Sequence, residues 1–431
     1  MHRILPLLLG IASMANGQSI AYEALSPLPE PITNNAVAAA EVDGEWYVYT
    51  FAGMAAGKGC EDDHLRAYRY RVSDDSWAGL PDVPDTLGGK IAASASTLRG
   101  IIYVVGGYHL APGCGEMSSA AVHRFDPAAN AWLTDAAPLL RPIDDQVQGV
   151  WRDSLLYVIT GWSDNGNVSD VQIYHPGTDT WTAGTPVPVS SRYRVFGGAG
   201  TIIGDTIYYA GGAASTAGFP NRSVYRKGII DPADPTQIDW SDADHPAALR
   251  YRSAAVRHHG LPVWIGGSAV SYNFDGIAYN GSGGVAPLTD VAIGSPANFL
   301  LTRRFDALPP VMDLRGVAEL GNDTYIVVGG MGESQTVRSE VGRIQLDMLT
   351  PIAGNAAPWP LRYAPNPADT QVAVQLPVGA TLRAYDATGK PYATVRRSGQ
   401  LDTARWPNGT YHLYVTRPNG RVGHHRLVVL H

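Results

Sequence analysis

One short apolar pattern recurs six times along this chain, at a spacing of about fifty residues. Each copy is a run of aromatic and β-branched residues that ends in glycine, as in Ile101 to Gly107 (IIYVVGG). The glycines that end the six runs are Gly53, Gly107, Gly161, Gly212, Gly267 and Gly330. Such runs are typical of buried strands that end where the backbone turns sharply. The period predicts that each copy is one supersecondary unit packed against its neighbours.

Further landmarks divide each copy into four strands, which we call a to d. A tight turn such as Asp43-Gly44 separates the apolar run from an earlier apolar stretch. After the run, a loop leads to an aromatic residue that is followed by a tryptophan, as in Tyr70 and Trp77. Asn34 stands where strand a begins in the first copy. In the other five copies a basic residue takes that place: Lys90, Arg141, Arg192, Arg250 and Arg315.

The composition agrees with a turn-rich, all-β chain. Of the 431 residues 45% are hydrophobic and 16% charged, and the chain has 48 glycines and 31 prolines. Coiled coils, helical bundles and disordered chains have more charge or less apolar content, so these classes are excluded. The net charge of −7 offers no basic face to a nucleic-acid backbone, and we predict no nucleic-acid partner.

The landmarks taken together resemble the Kelch β-propeller over roughly residues 20–350. The resemblance implies a six-bladed Kelch-type propeller, which we place at residues 18–352. The sixth copy has no strand d of its own after Leu346, whereas Ala21 to Leu25 is a candidate strand without a blade. We therefore predict that this N-terminal strand completes the last blade and closes the ring, which removes exposed strand edges.

The N-terminal residues point to export. Residues 1–17 contain Arg3, an apolar stretch from Ile4 to Met14 and a site of small residues, which is the pattern of a secretory signal peptide. This stretch is about half the length that a bilayer requires, and we predict no transmembrane segment. We therefore expect a protein that is secreted or held at the outer cell surface.

The C-terminal residues form a second unit. From Pro358 onward nine residues are basic and three acidic. Short strands separated by turns predict a small Ig-like β-sandwich at 363–431, after a proline-rich linker at 353–362. The stretches Leu382 to Lys390 and Leu401 to Val415 resemble the C-terminal sorting domain of type IX secretion cargo. The resemblance implies a Gram-negative bacterium and the type IX machinery as a partner; an accessory ligand-binding sandwich is the alternative.

The two cysteines occupy equivalent places in neighbouring copies. Cys60 lies seven residues after Gly53, and Cys114 lies seven residues after Gly107. Both therefore fall in b-to-c loops, and we predict a disulfide between them in an oxidising compartment. A cysteine that binds a metal or a radical cofactor, and a pair of free thiols, are the alternatives.

The five basic residues recur where the innermost strand of each blade begins. Symmetry would place Lys90, Arg141, Arg192, Arg250 and Arg315 around the mouth of the central channel, as a funnel for an anionic ligand such as an acidic sugar. Kelch blades often use this arginine to hydrogen-bond neighbouring backbone, so a structural role is the alternative. The triplets that begin at Arg192 and Arg250 add Tyr193 and Tyr251, and strand alternation predicts that both arginines of a triplet point the same way.

The b-to-c and d-to-a loops emerge on one face of the disc and carry further candidates. We expect His64, His109 and Trp162 there, because exposed rings beside polar groups commonly bind carbohydrate or peptide. Solvated loops without a ligand explain these residues equally well. His258 and His259 precede an a-to-b turn and are expected on the opposite face. We predict no metal site.

Two classes of function stay open. The chain contains no Ser-His-Asp order, HExxH motif or phosphate-binding glycine loop, and no catalytic residue is predicted. We predict a secreted binding or interaction module for a glycan, a peptide or a protein, without a cofactor. The alternative is a carbohydrate-active enzyme, because the resembled family includes a sialic-acid epimerase (mutarotase) and copper oxidases of the galactose oxidase kind.

Overall fold

The computed structural model describes residues 20–304, 308–321, 323–346, 361–386, 391–416 and 422–431. The predicted signal peptide and residues 353–360 of the predicted linker lie outside the described residues. Within the described part the chain is almost entirely β-structure, with two single-turn 3-10 helices at Pro246–Ala248 and Glu333–Gln335. The all-β prediction is therefore confirmed.

Antiparallel sheets of a meander pattern form the first three blades. Blade 1 contains Ile32–Thr33 and Ala36–Val42 as strand a, followed by Glu45–Ala55, Asp63–Arg71 and Ser76–Leu80. Blade 2 contains Ser94–Leu98, Ile101–Val105, Val122–Asp126 and Ala131–Trp132. Its b-to-c loop forms a hairpin of Tyr108–Ala111 and Gly115–Ser118. Blade 3 contains Val147–Trp151, Leu155–Ser163, Gly166–His175 and Thr180–Ala183.

The same pattern continues through the next three blades. Blade 4 contains Ala199–Ile203, Thr206–Ala210, Val224–Asp231 and Asp234–Asp244. Blade 5 contains Ala254–His258, Leu261–Ile265, Val291–Gly294 and Leu301–Arg304. Blade 6 contains Ala318–Glu319, Thr324–Val328, Val341–Leu346 and the N-terminal strand Ile20–Leu25. The six blades were predicted from the repeat.

The N-terminal strand is the outermost strand of blade 6, as predicted. It pairs antiparallel with Val341–Leu346, in a register that runs from Ile20 opposite Leu346 to Leu25 opposite Val341. Gly342 allows this close packing, because a Cβ atom there would lie 2.1 Å from the ring of Tyr22. The first and last parts of the propeller therefore share one sheet, which closes the ring and pairs the outer edge of Val341–Leu346.

The tryptophans of strand d hold neighbouring blades together. In four blades the indole N–H donates a hydrogen bond to a backbone carbonyl in the segment that precedes its blade. The four pairs are Trp77 with Ser26 at 2.9 Å, Trp132 with Pro81 at 2.9 Å, Trp181 with Ala137 at 2.8 Å and Trp240 with Thr185 at 3.2 Å. Such a bond satisfies the polar end of a largely apolar ring. The repeated tryptophan is thus explained by blade packing.

The C-terminal unit consists of two antiparallel sheets around its own apolar core. One sheet contains Arg362–Ala364, Gln371–Gln375 and Gly399–Asp402. The other contains Pro391–Val395, Thr381–Asp386, Gly409–Thr416 and Val422–Val429. Leu382, Leu413 and Leu427 are fully buried between them. This arrangement is the predicted β-sandwich.

Candidate functional site

Six strands a surround a central channel of about 540 Å³. Small residues near the middle of these strands leave the space open: Ala38, Ala95, Gly149, Gly200, Ala255 and Gly316. The channel opens on the face of the a-to-b turns, where Trp46 and the exposed side chains of Arg152 and Arg257 form part of the rim. A volume of this size lies within the usual range for small-molecule sites.

A ring of six residues closes the opposite end of the channel. One residue from each blade, just before strand a, lies in the left-handed region of backbone conformation: Asn34, Ala92, Asp145, Gly197, Arg252 and Asp313. We call this set the closing ring. Each blade is linked to the preceding one by a hydrogen bond here, for example from Arg252 N–H to the Gly197 carbonyl at 2.8 Å and from Asn34 N–H to the Asp313 carbonyl at 3.2 Å. The backbone turn thus satisfies polar groups that would otherwise be buried without partners.

A buried ion network stabilises the closing ring. The guanidinium of Arg252 donates to Asp145 at 2.6 Å and to Asp313 at 3.1 Å, and all three side chains are at most 2% exposed. Thr33 donates its hydroxyl to Asp313 at 2.7 Å. Burial raises the pKa of the Asp313 carboxyl, although the charge of Arg252 opposes this rise. The network joins blades that are far apart in the sequence.

Arg315 connects this network to the lining of the channel. Its guanidinium donates to Asp145 at 3.2 Å, to the Ser94 hydroxyl at 3.0 Å and to the Gln146 carbonyl at 2.9 Å. Three further polar atoms at this end are buried and have no hydrogen-bond partner among the described residues: Arg315 Nε, Gln146 Oε1 and Ser253 Oγ. All three residues line the channel. The closed end of the channel is therefore polar, and one donor, one acceptor and one hydroxyl there have no hydrogen-bond partner among the described residues.

Comparisons with known proteins show what the repeat is similar to. Residues 153–188 match the model of the Kelch motif. Kelch-like protein 36 of Bos taurus is 30% identical over 135 residues, which are 31% of this chain and 20% of that protein. Kelch-like protein 26 of Danio rerio is 34% identical over 123 residues, 28% of this chain and 19% of that protein. One repeat of the chain therefore matches the Kelch motif, and these curated relatives are Kelch-like proteins.

A solved structure has a similar fold. The structure described as "Structure of YjhT" has a TM-score of 0.60 and 15% sequence identity, and the match covers 75% of this chain and 98% of that chain. At this identity the similarity concerns the fold. The chain spans about a fifth of the length of the Kelch-like relatives that it matches.

The five basic residues of the Kelch repeats do not form the predicted ring. Only Arg315 lines the channel. Lys90 and Arg250 are buried against Asp85 and Asp290, at 2.6 and 3.0 Å. Arg141 and Arg192 have side chains that are 52% and 40% exposed. The segment from strand d to strand a runs inward from the outer edge of the disc, so a shift of a few residues along it changes the distance from the axis. The five basic residues therefore lie at different distances from the channel axis, although their spacing in the sequence is similar.

Four of these basic residues connect the inward segment to the outer strands of their own blades. Arg141 pairs with Asp170 at 3.2 Å, and the amide of Gln172 bonds both to its N–H and to its carbonyl. Arg192 forms ion pairs with Asp242 and Asp244. Near Lys90, the hydrogen bond from His123 and the charge of Lys90 outweigh burial and hold the pKa of the Asp85 carboxyl well below its usual range. These contacts favour the structural role.

The candidates expected on the loop face, and the tyrosines of the two arginine triplets, are mostly buried. His64, His109, Tyr193 and Tyr251 are at most 7% exposed. Burial lowers the pKa of His64 to about 4, so it is neutral at physiological pH. Trp162 is partly buried, and its ring packs against Phe196 and Phe219. The prediction of an exposed set of rings was therefore wrong, because the b-to-c loops fold over the closing ring and pack against each other.

Strand alternation also fails at the second arginine triplet. Arg252 has a φ of 45°, so the backbone turns at this residue and does not continue as a strand. Arg250 consequently points to Asp290, whereas Arg252 points to Asp145 and Asp313. The aromatic residues Tyr251 and Tyr272 cover Arg252, with ring centroids 5.2 and 5.6 Å from its guanidinium carbon. Sequence reasoning missed Arg252 as the centre of the network.

The predicted disulfide is present. Cys60 and Cys114 are bonded, with their Cα atoms 5.1 Å apart, and tie the b-to-c loops of blades 1 and 2. A link across 54 residues stabilises the fold by about 4 kcal/mol in the chain-entropy account. Because the chain has two cysteines, none remains for the cysteine–tyrosine cross-link of a galactose-oxidase-type centre. No helix among the described residues is long and apolar enough to cross a membrane.

Proposed function

We propose that this Kelch propeller is a binding module that holds the end of a glycan in its central channel. The observation that carries the proposal is the polar closed end of the channel, where Arg315 Nε, Gln146 Oε1 and Ser253 Oγ lack partners among the described residues. A sugar hydroxyl both donates and accepts, so it complements a neighbouring donor and acceptor. Buried polar atoms favour a ligand that supplies these bonds.

The mouth of the channel suits the remainder of such a ligand. Trp46 is partly exposed at the rim, and an aromatic ring can stack on the apolar face of a sugar. Charged rim residues of both signs, including Glu41 and Arg257, surround it. A volume of about 540 Å³ accommodates a short saccharide with the chain leaving through the open face.

The charge balance favours hydroxyl groups over an anion as the recognised group. The cations Arg252 and Arg315 lie against the carboxyls of Asp145 and Asp313. The closed end therefore has no large excess of positive charge. We infer that neutral glycans bind better than acidic ones, in contrast to the anion funnel expected from the basic series.

Calorimetric titration of the mature chain with a panel of neutral and acidic glycans tests the proposal. We expect Ser253→Ala to weaken binding by about fivefold, since a hydrogen bond is worth about 1 kcal/mol. Trp46→Ala should weaken it similarly. Arg141→Gln, on the outer part of the disc, and Met117→Lys, exposed on the loop face, are the matched controls.

Two results would overturn the channel proposal. One is that no glycan of the panel binds, and the other is that Met117→Lys abolishes binding while Ser253→Ala leaves it unchanged. Exchange of sugar anomers, followed by NMR in the same samples, tests the mutarotase alternative. Faster exchange with the wild-type chain than with Ser253→Ala would make the channel an active site and replace the binding proposal.

We further propose that the chain is exported and sorted through its C-terminal sandwich. The signal-peptide pattern at 1–17, the type IX resemblance of 363–431 and the Cys60–Cys114 disulfide support this. In a Gram-negative host that has type IX machinery, we expect the full chain outside the outer membrane and a chain without 363–431 in the periplasm. Equal release of both chains would refute the sorting role.

A further inference from the structure

Two adjacent histidines and an aspartate meet on the rim between blades 5 and 6. His258 ends strand a of blade 5, His259 follows it in the turn, and Asp323 belongs to the corresponding turn of blade 6. His259 Nε2 lies 2.7 Å from one carboxylate oxygen of Asp323, and His258 Nδ1 lies 3.5 Å from the other. One potential ligand atom from each residue lies within 4.8 Å of the others.

The position of His258 is unusual among the six blades. The residue directly before the a-to-b turn is apolar in each of the other blades: Val42, Leu98, Trp151, Ile203 and Leu320. Blade 5 instead buries the imidazole of His258, whose side chain is 0% exposed. Apolar packing does not require a histidine there. Its Nδ1–H donates to the hydroxyl of Tyr325 at 3.1 Å, since the Tyr325 hydroxyl itself donates to the Arg257 carbonyl, and these two hydrogen bonds orient the ring. A metal ion at this nitrogen would displace its proton.

The a-to-b turns of other blades are joined at this rim by ion pairs and hydrogen bonds that have a structural role. Blades 3 and 4 are joined by Arg152 and Asp205 at 2.8 Å, and blades 2 and 3 by Arg99 N–H and Asp153 at 2.7 Å. A guanidinium cannot bind a metal ion through a free lone pair. Between blades 5 and 6 the basic partner of the aspartate is an imidazole, and a second imidazole stands beside it at a ring-centroid distance of 4.5 Å.

We propose that His258, His259 and Asp323 bind a divalent late transition-metal ion, of which zinc is the type case. Two imidazole nitrogens and one carboxylate oxygen are a ligand set that zinc prefers, and a solvent molecule completes the coordination in such sites. Zinc–ligand distances of about 2 Å require ligand atoms a little over 3 Å apart. The two oxygens of Asp323 lie 2.7 and 3.5 Å from the histidine nitrogens, and the three ligand atoms lie within 4.8 Å of one another, so small side-chain shifts would bring them to this spacing. His259 and Asp323 are 40% and 32% exposed, so an ion reaches the site from the open face.

The ion would join the turns of blades 5 and 6, beside the mouth of the channel. This inference is independent of the proposed glycan function. It also differs from the sequence analysis, which predicted no metal site. The sequence shows that His258 and His259 are adjacent, but it does not show that Asp323 of the next blade lies beside them.

Titration of the untagged mature chain with Zn²⁺, after treatment with a chelator, tests the site. We expect one equivalent to bind, a higher melting temperature with Zn²⁺, and visible absorption of a four- or five-coordinate ion when Co²⁺ replaces it. His259→Ala and Asp323→Asn should each weaken Zn²⁺ binding by at least about 100-fold. His258→Phe should do the same while restoring the apolar side chain of the other blades.

His175→Ala, at a histidine that hydrogen-bonds Thr182 on blade 3, is the control and should bind Zn²⁺ like the wild type. Circular dichroism shows whether each variant is folded before titration. Failure of the wild type to bind one equivalent would overturn the proposal. Equal affinity in the wild type and in folded His259→Ala and Asp323→Asn would overturn it as well.

Discussion

Deletion of Ile20–Leu25 is expected to abolish the soluble monomeric propeller. This strand supplies the outer edge of blade 6 and pairs with Val341–Leu346 over its whole length. Without it, Val341–Leu346 becomes an exposed edge with unpaired N–H and C=O groups, and such edges pair with other chains. Size-exclusion chromatography should show aggregates or no recovered monomer, whereas the intact mature chain elutes as one species.

Point variants test the closure of the ring without removing any residues. Gly342→Val should give a similar defect, because its side chain would enter the space of the Tyr22 ring. Gly177→Ala is the control, since nothing lies within 4 Å of a Cβ atom there. A peptide containing residues 18–26, added during refolding, should restore monomer to the deleted chain. A stable monomer with an unchanged melting temperature after deletion would contradict the closure.

Arg252→Met is expected to destabilise the propeller by about 3–5 kcal/mol. The substitution leaves the buried carboxyl of Asp313 without its cation and leaves Asp145 paired with Arg315 alone, and removal of one member of a buried ion pair has a cost of this size. The midpoint of denaturant unfolding, followed by tryptophan fluorescence, measures the change. The effect is large because the network joins residues of three blades at the closed end of the channel.

Arg257→Met is the matched control for this effect. Arg257 is 63% exposed and pairs with Glu319, so its loss should change stability by about 1 kcal/mol or less. Combining Arg252→Met with Asp313→Asn removes the carboxylate that has lost its cation, while Asp145 stays paired with Arg315, and should recover part of the loss. An equal, small effect of Arg252→Met and Arg257→Met would show that the buried network contributes little.

The repeat made much of the fold predictable. The apolar runs ending at residues such as Gly107, with a tryptophan at a fixed later place, are local patterns that repeat with the blade. The closing strand could be predicted because Ile20–Leu25 had no blade of its own and blade 6 lacked a strand. The disulfide followed from two cysteines at equivalent places in adjacent copies. The blades, the closing strand and the disulfide could be predicted from the order of the strands along the chain, without their detailed geometry.

The site was harder to predict because its geometry depends on single backbone conformations. Arg252 lies at the centre of the ion network only because its φ is positive, and a strand pattern gives no indication of this. The residues with positive φ at equivalent places in the blades have different side chains, such as Asn34, Gly197 and Arg252. No shared residue type therefore marks this position in the sequence. Burial of His64 and Tyr251 likewise depends on loops that are packed by contacts between blades. The number of residues between two landmarks does not determine how far a side chain lies from the channel axis.

A crystal structure of the mature chain with its tightest-binding glycan tests the central claim most directly. The account predicts density for a sugar inside the channel, with hydroxyl groups within hydrogen-bond distance of Ser253, Gln146 and Arg315. Density for the sugar on the b-to-c loop face, with an unchanged and unoccupied channel, would contradict it.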